Sequence, residues 1–117
     1  MSPKRGDRVA PPAGQGEWEL RFATNEAAKG WDWLCQQAAA NTELVWRELR
    51  SRADRPVPST RHHRLKGRLA SGDHRGVAME QWQYEVTSGG RVWYLVDVER
   101  RTLWLKHAGP GHPGQTD

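Results

Sequence analysis

The sequence predicts an α+β domain in which two helices lie against a sheet. Residues 17–23 and 81–87 alternate apolar or aromatic side chains with polar ones, which is the period of a β-strand. Residues 91–97 alternate Val92, Tyr94 and Val96 with Arg91, Trp93 and Leu95, and a further run follows at residues 102–106. Between the first two of these runs, residues 24–53 repeat apolar side chains at helical spacing, in two segments. Because a short turn joins the two segments, they are predicted to form a helical hairpin.

Residues 81–97 are the stretch around which the domain is organised. Two runs of alternating residues flank Ser88-Gly89-Gly90, and glycine supplies the positive φ that a tight hairpin turn needs. The run at residues 102–106 continues the meander. Arg91 therefore lies at the start of a rigid strand beside the turn, where a guanidinium is well placed to meet a phosphate.

The remaining elements follow from local signals. Thr24 or Asn25 caps the first helix, and Asn41-Thr42 caps the second, which runs over about residues 43–53. Pro56 and Pro58 place a loop at residues 54–60. Residues 61–69 are predicted as a strand with a basic face, and Ser71-Gly72-Asp73 is predicted as a turn.

The length of 117 residues indicates one domain. Residues 1–16 are rich in Pro and Gly and are predicted to be a flexible N-terminal arm. Residues 17–117 form the domain, with an extended C-terminal tail from residue 108.

The positive charge of the chain is concentrated in one segment. The formal net charge is +4, yet residues 47–75 alone hold nine Arg or Lys against three acidic residues. Such clustering favours a polyanionic partner, most plausibly nucleic acid, while the alternative is a solvated helix face plus a basic loop. Cys35 is the single cysteine, which excludes an intrachain disulfide and favours a cytoplasmic protein. No run of apolar residues indicates a membrane span or a secretory signal.

Four short motifs occur in a recognisable order: LKG at residues 65–67, QWQYEV at 81–86, GRVWY at 90–94 and GHP at 111–113. With the order of strands and helices, they resemble the RelE/ParE superfamily, specifically the RelE-like branch of type II toxin–antitoxin toxins, over about residues 17–116. The resemblance implies a RelE-like fold: an N-terminal strand and a helical hairpin packed on a twisted, mainly antiparallel four-stranded sheet. The opposite sheet face is expected to be concave and basic.

The same resemblance implies a function. RelE-like toxins cleave mRNA in the ribosomal A site without a metal or other cofactor, and a cognate antitoxin silences them. We expect that antitoxin to cover the basic face with an acidic segment. Two alternatives stay open: a ParE-like inhibitor of DNA gyrase, which is not an enzyme, and a toxin-like RNA-binding protein without cleavage activity. The alternative of RNA binding without cleavage arises because family members carry lysines where this chain has Trp82, Gln83, Tyr84 and Glu85.

Candidate site residues follow from the chemistry of metal-free RNA cleavage, which needs a base for the 2′-OH, a cation for the phosphorane and an acid for the leaving 5′-oxygen. Arg91 is the expected cation. His112 is a candidate acid or base, and Glu85 a candidate base. Trp93 is expected to stack on an RNA base. The expected contacts to the RNA backbone are Arg61, Arg64, Lys66 and Arg68.

A metal site is not expected. His62 and His63 are adjacent on a predicted strand, so their side chains point to opposite sides, and no thiolate or carboxylate cluster lies near them in the sequence.

Overall fold

The computed structural model describes residues 3–9, 11–52 and 57–111. In chain order, its elements are β1 (Glu19–Phe22), α1 (Asn25–Gln37), α2 (Ala39–Arg52), β2 (His62–Arg64), a 3-10 helix (Gly67–Ala70), β3 (Ser71–His74), β4 (Val77–Thr87), β5 (Gly90–Asp97) and β6 (Thr102–Pro110). The two helices pack on a mostly antiparallel sheet, so the predicted α+β class is confirmed. Among the described residues, no helix is long and apolar enough to cross a bilayer.

The sheet has six strands rather than the expected four. Its order is β1-β6-β5-β4-β2, with β3 also paired to β4. The β1–β6 pair is parallel and the other pairs are antiparallel. The sheet exceeds the expected four strands because β1 joins it beside β6, and because β4 has 11 residues and accepts β2 and β3 one after the other along the same edge. The prediction of a strand over residues 61–69 was therefore too long, and the predicted turn at Ser71-Gly72-Asp73 is part of β3.

The second helix begins earlier than predicted. Thr24 caps α1, since its Oγ1 accepts a hydrogen bond from the Ala27 backbone N–H at 2.9 Å. Asn41 and Thr42, however, lie inside α2 and do not cap it. The Thr42 hydroxyl is buried and donates to the Leu34 carbonyl at 3.1 Å, which ties α2 to α1.

Glycine lets the helices approach the sheet closely. A Cβ on Gly30 of α1 would lie 1.6 Å from the Ala108 carbonyl oxygen of β6. A Cβ on Gly90 would lie 2.8 Å from the Leu34 side chain. Neither Gly89 nor Gly90 has a positive φ, so the expectation of such a conformation in this hairpin turn was wrong. Gly90 is instead suited to its position because it leaves room for the helix.

The described part of the segment that was predicted to be a flexible arm is hydrogen-bonded to the domain. The Val9 N–H donates to the Leu20 carbonyl at 2.7 Å, and the Gly6 N–H donates to the Phe22 carbonyl at 2.7 Å. Val9 is 4% exposed. Residues 6–9 therefore follow the edge of β1 that β6 leaves free. At the other end of the chain, Ala108 belongs to β6 and is buried, so the predicted tail begins later than residue 108.

Two tyrosines place their hydroxyls in the layer between the sheet and α2. The Tyr84 hydroxyl donates to the Glu48 carboxylate of α2, and the Tyr94 hydroxyl lies 2.6 Å from Nε2 of His62. Burial, reinforced by the hydrogen bond to Glu48, raises the pKa of Tyr84 to about 12. Burial also raises the pKa of Tyr94.

Replacing Tyr84 with Phe is expected to make stability less sensitive to alkaline pH. The folded-state pKa of about 12 exceeds the ordinary value of 10.0, so the stabilising effect is complete below pH 10 and is lost as the pH rises toward 12. Urea unfolding at intervals from pH 8 to about pH 11 should therefore show a steeper loss in the wild type than in Tyr84→Phe. Identical slopes in the two proteins would contradict this assignment.

Candidate nucleic-acid interface

The sheet face opposite the helices, here called the distal face, brings together the residues with site chemistry. The strand registers pair Glu85 with Arg91, Trp93 with His107, and Leu95 with Trp104. Directly opposed residues in an antiparallel sheet point to the same side. The neighbours Val92 and Tyr94 point to the helix side, where they are buried in the main core. The distal face is defined by Gln83, Glu85, Arg91, Trp93, Leu95, Trp104 and His107.

Arg91 is buried without a counter-ion among the described residues. Arg91 is only 8% exposed, and its Nε is buried with no hydrogen-bond acceptor. Glu85, directly across the strand pair, forms its ion pair with Arg61 instead, at 3.5 Å. A buried guanidinium is costly unless a negative group compensates it. The arrangement therefore offers a site for an external anion.

Glu85 is held at the edge of the distal face by Arg61. Besides the ion pair, the Glu85 N–H donates to the Arg61 carbonyl at 2.6 Å. Both side chains keep contact with solvent, with 57% of Arg61 and 31% of Glu85 exposed. Such a pair contributes little to stability, so a ligand phosphate could take Arg61 away from Glu85 at small cost.

Trp93 has a structural role that differs from the predicted one. Its residue is 1% exposed, so its ring has no free face on which an RNA base could stack. The indole N–H donates to the Gln83 side-chain oxygen at 2.8 Å, and the His107 ring meets it edge-on at 6.3 Å between centroids. Trp93 therefore forms a rigid floor beside Arg91.

Two histidines of this region were not among the predicted site residues. His107 reaches the distal face because Lys106 is an extra residue of β6, which shifts the register between Trp93 and Tyr94 of β5. Strict alternation from Leu105 would have put His107 on the helix side. His63 lies on the distal face opposite Gln83. The sequence did place His62 and His63 on opposite sides of a strand. Which of the two lies on the distal face could be assigned only once β2 was known to pair with β4.

The four predicted RNA-backbone cations fall into different environments. Arg64 lies opposite Trp82 and so points to the helix side, where it donates to the Ala70 carbonyl at 2.9 Å and pairs with Glu80 at 3.6 Å. Lys66 and Arg68 are exposed and form no ion pair within the described ranges. Arg61 forms the ion pair with Glu85.

Near these cations is a shallow groove of about 500 Å³, lined by Pro58, Ser59, Thr60, His63, Arg64 and Lys66. His112, a predicted acid or base, lies outside the described residues.

Within residues 3–9, 11–52 and 57–111, no group of three or more His, Cys, Asp or Glu side chains is arranged to hold a metal ion. His62 points into the helix side and stacks on Tyr84, with ring centroids 4.2 Å apart. The two adjacent histidines are therefore on opposite sides of the sheet, as the sequence predicts.

Comparison with known proteins identifies the fold. No protein-family model matches the chain, and no curated protein matches it. The structure is similar to the crystal structure of a metal-bound toxin from Helicobacter pylori, with a TM-score of 0.51 and 16% sequence identity. The match covers 74% of this chain and 88% of that toxin. At this level of sequence identity, the similarity concerns the fold alone.

Proposed function

We propose that this protein is the toxin of a type II toxin–antitoxin system and acts as a metal-independent, RelE-like endonuclease on mRNA bound to the ribosome. The observation that carries the proposal is Arg91, which is buried on the distal face with no counter-ion among the described residues. A phosphodiester would supply the missing negative charge. The similarity of the fold to that of a bacterial toxin supports the class.

The proposed reaction uses the RNA's own 2′-OH as nucleophile. A base removes the 2′-OH proton, the 2′-oxygen attacks the adjacent phosphorus, and the bond to the 5′-oxygen breaks as an acid protonates it. The products are a 2′,3′-cyclic phosphate and a 5′-OH. Arg91 would stabilise the extra negative charge on the phosphorane. No step requires a cofactor.

His107 joins Glu85 and His112 as a candidate for proton transfer. Arg91 pairs with Gly109 of β6, so His107 is the diagonal cross-strand neighbour of Arg91. Such neighbours lie roughly 7–8 Å apart, a separation that a bound phosphodiester can bridge. His63 is a further candidate at the opposite strand of the same face. An imidazole is suited to this step because it can both accept and donate a proton near neutral pH.

A second candidate function is RNA binding without cleavage. The observation that favours it is the Arg61–Glu85 ion pair, because a carboxylate held by a guanidinium is already engaged and is not positioned to take the 2′-OH proton. In that case Arg91, Lys66 and Arg68 would still attract RNA, with an affinity that falls as salt rises.

The proposed partners are mRNA on the ribosome and a cognate antitoxin in the cytoplasm. Lys66 and Arg68 are exposed cations without carboxylate partners in the described part of the chain, and they fit an acidic antitoxin segment. The antitoxin would then occupy the surface that approaches RNA.

Induced expression in a bacterial host tests the proposal, with mRNA 5′ ends mapped by primer extension. We expect growth arrest together with new cuts inside translated regions, and no cuts in untranslated RNA. Growth arrest with intact mRNA and gyrase-dependent DNA breaks would instead assign a ParE-like inhibitor. Tight RNA binding by the purified protein, with neither arrest nor cuts, would assign the binding function.

A further inference from the structure

A second basic cavity lies on the distal face, away from Arg91. It has a volume of about 380 Å³ and lies between the N-terminal segment, the end of β1 and the turn that joins β3 to β4. Its lining includes Arg5, Ala23, His74, Arg75 and Trp104. Trp104 is the cross-strand partner of Leu95, four residues along β5 from Arg91. The separation along the strand is about 13 Å, so the cavity is distinct from the Arg91 site.

The floor of the cavity is rigid. The Trp104 indole N–H donates to the buried Asp97 carboxylate at 3.1 Å. The His74 ring stacks on Trp104, with centroids 4.1 Å apart and an interplanar angle of 27°. The Arg75 guanidinium lies 5.7 Å from the centroid of the same ring. These contacts hold His74 and Arg75 in position before any ligand arrives.

The polar groups of the cavity have unused hydrogen-bonding capacity. The side chains of Arg5 and Arg75 form no ion pair within the described ranges, and Nε2 of His74 is buried there without a hydrogen-bond partner. The buried Asp97 carboxylate beneath Trp104 already accepts hydrogen bonds from Trp104 and Arg100. Two arginines and one histidine therefore line the cavity, and no Asp or Glu is among the described residues that line it.

The surroundings of the His74 imidazole lower its pKa. Burial lowers the pKa of His74, and Arg75 and Arg100 lower it further, whereas Asp97 and Asp73 oppose them. An anion in the cavity would favour the protonated ring and raise this pKa.

Arg75 adopts a backbone conformation that arginine rarely takes. Its φ is 53° and that of Gly76 is 82°, as in a two-residue hairpin turn of the type that favours Asn, Asp or Gly at both positions. An arginine in this position is strained, and the turn places Arg75 in the lining of the cavity beside Trp104. Strain of this kind is typical of residues that have a role beyond folding.

We propose that this cavity binds a phosphate group, with Arg5 and Arg75 as ion-pairing partners and the His74 imidazole as a hydrogen-bond donor. The phosphate could belong to a nucleotide or be inorganic, and the chemistry of recognition is the same in both cases. Since the proposal concerns binding at residues that the Arg91 site does not include, it stands whether or not the protein cleaves RNA.

Calorimetric titration of the full-length protein tests the site, with inorganic phosphate, adenosine 5′-monophosphate and a short single-stranded RNA as separate probes. Arg75→Asn is the informative variant, since asparagine tolerates the positive φ and keeps the turn. We expect Arg75→Asn and Arg5→Gln each to weaken binding by about tenfold or more. Arg47→Gln, on the exposed side of α2, removes the same charge far from the cavity and should leave binding unchanged.

NMR locates the binding. Titration with either small probe should shift the His74 imidazole and Trp104 indole signals in the wild type and in Arg91→Gln alike. Comparable affinities for inorganic phosphate and for the nucleotide would show that the cavity recognises free phosphate. Tighter binding of the nucleotide or the RNA would show that the bound phosphate belongs to a nucleic acid or nucleotide. Loss of binding in Arg91→Gln with full binding in Arg75→Asn would overturn the proposal. So would the absence of saturable binding by all three probes.

Discussion

Replacing Arg91 with Gln is expected to lower mRNA cleavage by about 100- to 1,000-fold, since one preorganised group that stabilises transition-state charge contributes on this scale. The fold should survive, because Arg91 makes no hydrogen bond or ion pair with the described residues that the substitution would break. Removing a buried charge that no described residue compensates should leave the free energy of unfolding unchanged or raise it. Arg91→Lys keeps the charge but loses bidentate contact, so it should recover only part of the activity.

Arg50 provides the matched control for Arg91. It is also buried, at 5% exposed, but it donates to the Pro12 carbonyl at 2.6 Å and to Glu17 at 2.8 Å, and it packs over Trp46. Arg50→Gln should therefore lower the free energy of unfolding by about 2 kcal/mol while the folded protein keeps its cleavage rate. Cleavage rates and urea unfolding measured on both variants separate the two roles. Full cleavage by folded Arg91→Gln would remove Arg91 from the site and, with it, the basis of the proposed function.

Replacing Gly30 with Ala is expected to lower the free energy of unfolding by about 3 kcal/mol, because the new methyl group overpacks a closely fitted interface. A Cβ at this position would lie 1.6 Å from the Ala108 carbonyl oxygen, which belongs to the backbone and has no rotamer that moves it away. Either α1 must lift from β6 or the strand must distort. The gain in helix propensity from Gly to Ala, about 1 kcal/mol, is too small to offset this.

Gly89→Ala is the control for Gly30→Ala. A Cβ on Gly89 would meet nothing within 4 Å, and its φ is not in the left-handed region. That variant should differ from the wild type by less than about 0.5 kcal/mol. Urea or thermal unfolding of the two variants gives the comparison. Equal stabilities of the two variants would contradict the close approach of α1 to β6 at Gly30. Ala108 also neighbours Gly109, the cross-strand partner of Arg91, so Gly30→Ala is expected to disturb the distal face as well.

Most of the architecture could be predicted because it depends on local patterns. Alternation in residues 81–97 identified both strands of the central hairpin, with Arg91 at the start of the second strand beside the turn. The helical hairpin followed from the spacing of its apolar residues. The short strands β2 and β3 were misjudged because three or four residues carry too little periodicity, and their conformation depends on pairing with β4.

The candidate site was predictable only in part. The sequence by itself determined that Arg91 starts a strand beside a turn, and it indicated Glu85 and Trp93 as further candidate site residues. The tertiary structure decided the rest: Arg61 occupies Glu85, Trp93 is covered, and the bulge at Lys106 turns His107 toward the distal face. The physical reason is that burial and ion pairing depend on contacts between residues far apart in the chain. A single inserted residue in a strand also reverses every later side chain, and alternation alone does not reveal it.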